Sequence, residues 1–175
     1  MGVALAMLIA LQLTVHRVPS PVSTVLYLGF TGVEGVAISY IFGAYTNQTI
    51  VLAFGLTAGL FTAMSVIGFT TKRDLSKWGP ILLFGLIGLV VVGVINIFIG
   101  SSLLGWVVTL IALPLFLGLV IWETKEMKEL AQQAALDGDE KVAGQIAIIG
   151  AAGLYLSFLN IFLILLRIVQ FFSDD

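Results

Sequence analysis

The chain has 175 residues, of which 59% are hydrophobic and 10% charged, with a mean hydropathy of +1.13, so too few polar groups remain to cover a water-soluble globule. A net charge of −2 with no basic run excludes a nucleic-acid binder. The absence of cysteine removes disulfides and thiolate ligands, and the single histidine, His16, excludes a multi-histidine metal site.

Repeated apolar runs of about 20 residues match the length needed to cross about 30 Å of hydrocarbon. The alternation that marks a membrane β-barrel is absent, so the expected fold is all-α, a polytopic bundle of transmembrane helices. In chain order the six apolar segments are 1–15, 22–42, 50–70, 80–100, 103–122 and 145–171. They form one integral membrane domain over 1–175, with nothing large enough for a separate soluble domain.

The first segment is short and carries neither a positive start nor a small-residue cleavage motif before "HRVPSP", so it is a poor signal peptide. It looks like the second half of a helical hairpin, which predicts further sequence upstream of Met1. Pro19 and Pro21 break the first connection, 16–21, where Arg17 lies. In the second segment Glu34 interrupts an apolar run, and Gly29, Gly32 and Gly35 recur at helical spacing. With Gly55 and Gly59 of the third segment they suggest close helix packing. The connection 71–79 carries Lys72, Arg73 and Lys77, and Pro80 opens the fourth segment, where its missing N–H costs nothing. Pro114 interrupts the fifth segment and predicts a kink. The next connection, 123–144, opens a stretch that holds nine of the chain's eighteen acidic and basic residues. There the spacing of Asp137 and Glu140 in "DGDE" suggests a capping box for the last helix, with Gly138 turning the chain. A calcium-binding loop would need acidic ligands continuing to a twelfth-position Glu, and they are missing.

Lysine and arginine counts over the five connections run 1, 0, 3, 0, 3, which places 16–21, 71–79 and 123–144 in the cytoplasm. Trp106 and Trp122 stand 16 residues apart, about 24 Å along a helix, which suits opposite interfaces.

Among groups that could carry chemistry, Glu34 is the deepest. A charged carboxylate at mid-bilayer costs about 2.5–3.5 kcal/mol or more unless it is paired, wetted or protonated, and such residues usually face a cavity. The plainer alternative is a permanently neutral acid bonded to Thr31 or Ser39. Glu123, directly after Trp122, is either a solvated acid opening the charged connection or a gating group. In the second case Arg17 or the 72–77 cluster are ion-pair partners, and the pair would part as the acid protonated. Ser157 and Asn160 sit three apart on an apolar helix and suit hydrogen bonds within the bundle, as does Asn96. Arg167 most simply reaches for the headgroups. No G-x-S-x-G, H-E-x-x-H, G-x-x-x-x-G-K or intramembrane Asp pair is present. The expectation is a protein that is not an enzyme and has no catalytic residue, metal or cofactor.

Four stretches, "FTGVEGVAISYIF", "TAMSVIGFTTKRDLSKWG", "IWETKEMK" and "GLYLSFLNIFLILLRIVQFF", together resemble the Bax inhibitor-1 family, also called the transmembrane Bax inhibitor motif family, across essentially the whole chain. The resemblance implies a seven-helix fold with a central last helix, of which the six segments here correspond to helices 2–7. It also implies a proton-sensitive calcium leak gated by two aspartates that share a proton. Here Glu123 and Ser157 stand at those two positions, and a serine does not titrate. Bacterial relatives with this Glu/Ser pattern resemble partners of an ATP-dependent membrane protease. The expected function is therefore a pH-sensitive passive cation leak or sensor in the bacterial cytoplasmic membrane, with Glu34, Glu123, Ser157 and Asn160 lining the pathway. The alternative is a non-conducting regulator of a membrane protease or another integral membrane protein.

Overall fold

The computed structural model describes residues 20–138 and 140–173. The expected first segment and Arg17 lie outside them. Among the described residues there are only helices: α1 (Ser20–Ile38), α2 (Ile41–Ala44), α3 (Asn47–Thr70), α4 (Trp78–Ile99), α5 (Ser102–Asp137) and α6 (Glu140–Ser173). Four stretches are long and apolar enough to cross a membrane: Asn47–Thr70, Trp78–Ile99, Ser102–Leu136 and Ile146–Ser173. The all-α membrane bundle expected from composition is present; the described helices supply four such spans rather than a count of six.

The helix ends follow local chemistry. Thr46 caps α3, its hydroxyl accepting from the Thr49 amide at 3.2 Å, and Ser101 caps α5 by accepting from the Leu104 amide at 3.2 Å. Gly100 and Gly138, both at φ 68°, end α4 and α5 in the left-handed conformation that glycine adopts without a Cβ clash. Pro80 falls in the first turn of α4, as its missing N–H favours. α5 runs unbroken past Pro114.

Three expectations need correction. The second segment does not run to residue 42 as one helix: α1 stops at Ile38, and α2 follows a turn at 39–40. The apolar fifth segment ends at 122, but its helix does not. The stretch 123–137 continues α5 for about 22 Å, so the expected connection 123–144 is two helix ends joined at Gly138. This also removes Asp137 as a cap for the last helix, because it is the final residue of α5. Finally, a Cβ built on Gly29, Gly32, Gly35, Gly55 or Gly59 meets nothing within 4 Å among the described residues. The close approaches lie elsewhere: at Gly68, where it would stand 2.5 Å from the Ile121 carbonyl oxygen, at Gly79 against the Trp122 ring, at Gly85 against Leu115 and at Gly150 against Met127. Spacing alone does not say which helix face turns inward.

α6 packs on α5, α3 and α1, while α5 also packs on α3 and α4. The buried core follows this pattern: Ala112, Phe116, Leu119 and Val120 of α5 meet Ile161, Leu165, Leu166 and Val169 of α6, with Ala53 of α3 and Ile41 of α2. Phe54 and Phe61 of α3 meet Phe158 edge to face, at ring separations of 5.7 and 5.4 Å. The outward faces of α3 and α4 expose large apolar side chains such as Phe69, Phe84 and Ile97, which a bilayer covers.

Candidate functional site

Glu123 ends an apolar run of α5 that begins at Ser102 and is about 31 Å long, close to the thickness of a bilayer core. It therefore stands at the membrane edge of the helix, partly buried and turned towards α6. Ser157, 2% exposed, comes from the middle of α6, and its Oγ donates to Glu123 Oε2 at 2.8 Å. One turn earlier on the same face, Gly153 leaves room for the other carboxylate oxygen: a Cβ there would lie 3.3 Å from Oε1. The carboxylate is thus held by one hydroxyl and seated over bare backbone. Gly153 was not singled out in the sequence, although Gly153-x-x-x-Ser157 has the small-residue spacing that lets membrane helices approach.

Among the described residues no cation pairs with Glu123; the one ion pair joins Lys125 to Glu129, at 3.4 Å. The lysines of α5 turn instead to α3. Lys125, 8% exposed, donates to the Arg73 carbonyl. Lys128 donates to the Phe69 carbonyl at 2.8 Å and stands 4.5 Å above the Phe69 ring. These carbonyls lie at and just past the end of α3, where the last helical turn lacks intrahelical donors. In the same loop Asp74 accepts from the Ser76 hydroxyl and from the Ser76 amide at 2.9 Å. The hydroxyl first, and the amide second, hold the Asp74 carboxyl below its ordinary value of 3.8. A hollow of about 170 Å³ between loop and helix is lined by Leu75, Ser76, Trp122, Lys125, Glu126 and Glu129.

The other anticipated residues lie apart from this pair. Glu34 sits one turn before the end of α1, whereas Ser157 is sixteen residues before the end of α6. Among the described residues neither Glu123 nor Ser157 is hydrogen-bonded to Glu34. Glu34 Oε2 is buried and has no hydrogen-bond partner among the described residues. Thr31 and Ser39, the neighbours considered for it, donate to the carbonyls of Leu28 and Val36. Asn160 donates to the Leu156 carbonyl of its own helix at 2.8 Å. Neither the hollow beside Lys125 nor a second at the far end, between Thr46, Thr49, Val169 and Ser173, is lined by Glu34, Glu123 or Ser157. No group of three or more His, Asp or Glu able to hold a metal ion is found among the described residues.

A family model described as "Inhibitor of apoptosis-promoting Bax1" matches residues 1–174. The inner membrane protein YbhL of Escherichia coli K12 is 39% identical over 164 residues, covering 94% of this chain and 70% of that protein. An uncharacterised protein of Deinococcus radiodurans is 38% identical, with the same coverage of both chains. A membrane protein of Streptococcus pyogenes serotype M6 is 37% identical over 87% of this chain and 65% of its own length.

Proposed function

Given that the chain belongs to the Bax inhibitor-1 family of membrane proteins, we propose that it is a pH-sensitive passive cation leak of the bacterial cytoplasmic membrane, with the Glu123–Ser157 bond as its latch. The observation that carries this reading is the 2.8 Å hydrogen bond that ties the two longest helices together at the membrane edge. With Glu123 ionised the bond is charge-assisted and holds α5 against α6. Protonation turns it into a weaker neutral bond, the helices part, and cations pass down their gradient. A carboxylate and a hydroxyl are oxygen ligands suited to a hard cation such as calcium, and two of them are too few to trap it. Glu34, whose Oε2 is buried, supplies a second carboxylate along the route. One titrating acid replaces the pair that the family resemblance implies.

The test is calcium influx into dye-loaded vesicles across the neutral pH range. Influx should exceed that of empty vesicles and rise as pH falls, and Glu123→Gln should flatten the pH profile. If correctly inserted protein gives no influx at any pH, the leak reading is wrong.

A second reading has its own support. Beyond Trp122, α5 continues as a charged helix that leaves Leu130 and Leu136 42% and 88% exposed. Such a projecting hairpin suits a regulator that engages a membrane-embedded ATP-dependent protease. Photo-crosslinking from position 136 to such a protease, together with absent influx, would favour this reading.

A further inference from the structure

At the end of the bundle remote from Lys125 and Lys128, two hydrogen-bond donors converge on one glycine. A Cβ built on Gly105 would lie 3.0 Å from Arg167 Nη2 and 3.3 Å from Asn96 Nδ2, so the two nitrogens lie within about 6 Å of each other. The orientation of Asn96 is fixed by its other atom: Oδ1 accepts from the Ser101 amide at 3.1 Å, which leaves the NH₂ group facing Gly105. The Arg167 guanidinium stacks over the Trp106 ring at 5.3 Å, and Trp106 packs edge to face on Phe171 at 4.5 Å. Among the described residues neither Arg167 nor the Asn96 NH₂ group has an acceptor. Two donors, one of them charged, thus stand side by side at Gly105.

We propose that Arg167, Asn96 and Trp106 bind the phosphate diester of a membrane phospholipid, with Gly105, by lacking a side chain, letting the two donors stand close together. The two non-bridging oxygens of one phosphate bridge donors at this separation with bonds of about 2.9 Å. The stacked tryptophan holds the guanidinium flat, which suits a bidentate contact better than a lysine would. A lipid is favoured over free phosphate by what surrounds the donors. Phe98, Leu103 and Phe172, at 85%, 74% and 72% exposure, are within five residues of Asn96, Gly105 and Arg167 along their helices, so acyl chains would cover apolar surface at the same depth. All three binding residues lie within about two turns of a helix end, at the depth of the headgroups. The lipid would join α4, α5 and α6, the helices that carry Asn96, Trp106 and Arg167. The site lies at the opposite end from the Glu123–Ser157 latch and does not depend on it.

The experiment uses the whole protein, stripped of lipid in a non-ionic detergent. Apparent melting temperature is followed while phosphatidylglycerol, diacylglycerol or inorganic phosphate is added, and retained lipid is counted by native mass spectrometry. Phosphatidylglycerol should raise the melting temperature and remain bound. Diacylglycerol and inorganic phosphate should do neither. Arg167→Ala should weaken retention about tenfold or more, and Asn96→Leu by less. Equal protection by diacylglycerol overturns the phosphate contact, and equal protection by inorganic phosphate overturns the lipid assignment. These two arms need only the wild-type chain, so they decide the matter even if a variant fails to fold. Unchanged lipid retention in a folded Arg167→Ala protein also overturns the proposal.

Discussion

Replacing Ser157 by Ala removes the only donor to Glu123 found among the described residues, and the structure sets the size of the effect. The hydroxyl is 2% exposed and its bond is 2.8 Å long, so no water stands ready to replace it. The space left by one oxygen atom is too small to admit one. A hydrogen bond to a charged group contributes about 1.5–3 kcal/mol, against about 0.5–1.5 kcal/mol for a neutral one. Ser157→Ala should therefore destabilise the protein by about 1.5–3 kcal/mol where Glu123 is ionised, and by roughly half as much where it is protonated. If the same bond holds the leak shut, 1.4 kcal/mol being a factor of ten, the open population rises about tenfold or more at high pH. The gap between wild type and variant should narrow to roughly half at low pH. The measurements are reversible denaturation in micelles at several pH values, together with calcium influx in vesicles. A double-mutant cycle with Glu123→Gln isolates the pair. A pH-independent loss, or a coupling near zero, would refute the latch.

Four further outcomes follow from the structure. Gly68→Ala must push α3 from α5 by about 1 Å, because the Ile121 carbonyl cannot yield, and should cost about 1–3 kcal/mol. Gly55→Ala and Gly59→Ala, whose new methyl meets nothing among the described residues, should be neutral or stabilising by up to about 1 kcal/mol in the same denaturation assay. Lys125→Met leaves the Arg73 carbonyl without its donor and should cost about 1–3 kcal/mol, whereas the more exposed Lys128→Met should cost less. The folded Asp74 carboxyl is held below 3.8, so its contribution is present above that value and is lost as pH falls through the lower, folded one. Amide exchange at Ser76 should accelerate in that acid window in the wild type and be pH-insensitive there in Asp74→Asn, after correction for intrinsic exchange rates.

Hydropathy made the membrane helices legible, and the family resemblance made Glu123 and Ser157 legible as a pair, because it marks which turns of two distant helices face each other. The continuation of α5 was missed for a physical reason. A hydropathy drop at Glu123 marks where lipid ends, not where hydrogen bonding ends. The residues of 123–136, almost all Glu, Lys, Met, Leu, Ala and Gln, are strong helix formers that favour continuing the helix. The roles of Lys125 and Lys128 were hidden because a charge run looks the same whether water or the end of another helix receives it. Gly29 and Gly55 drew notice through their spacing, while Gly68 and Gly79 belong to no repeat and take their role from the partner helix.

The unbroken α5 rod spans two environments, with Trp122 seated on Gly79 near its middle. About 31 Å of the rod lies in the apolar layer and about 22 Å projects past it. Sideways force on the projecting arm, pivoting at that tryptophan, swings the buried arm the opposite way with about 1.4 times the displacement. Glu123 and Ser157 sit beside the fulcrum, where travel is smallest, so their hydrogen bond stays closed through small swings that displace both ends of the rod.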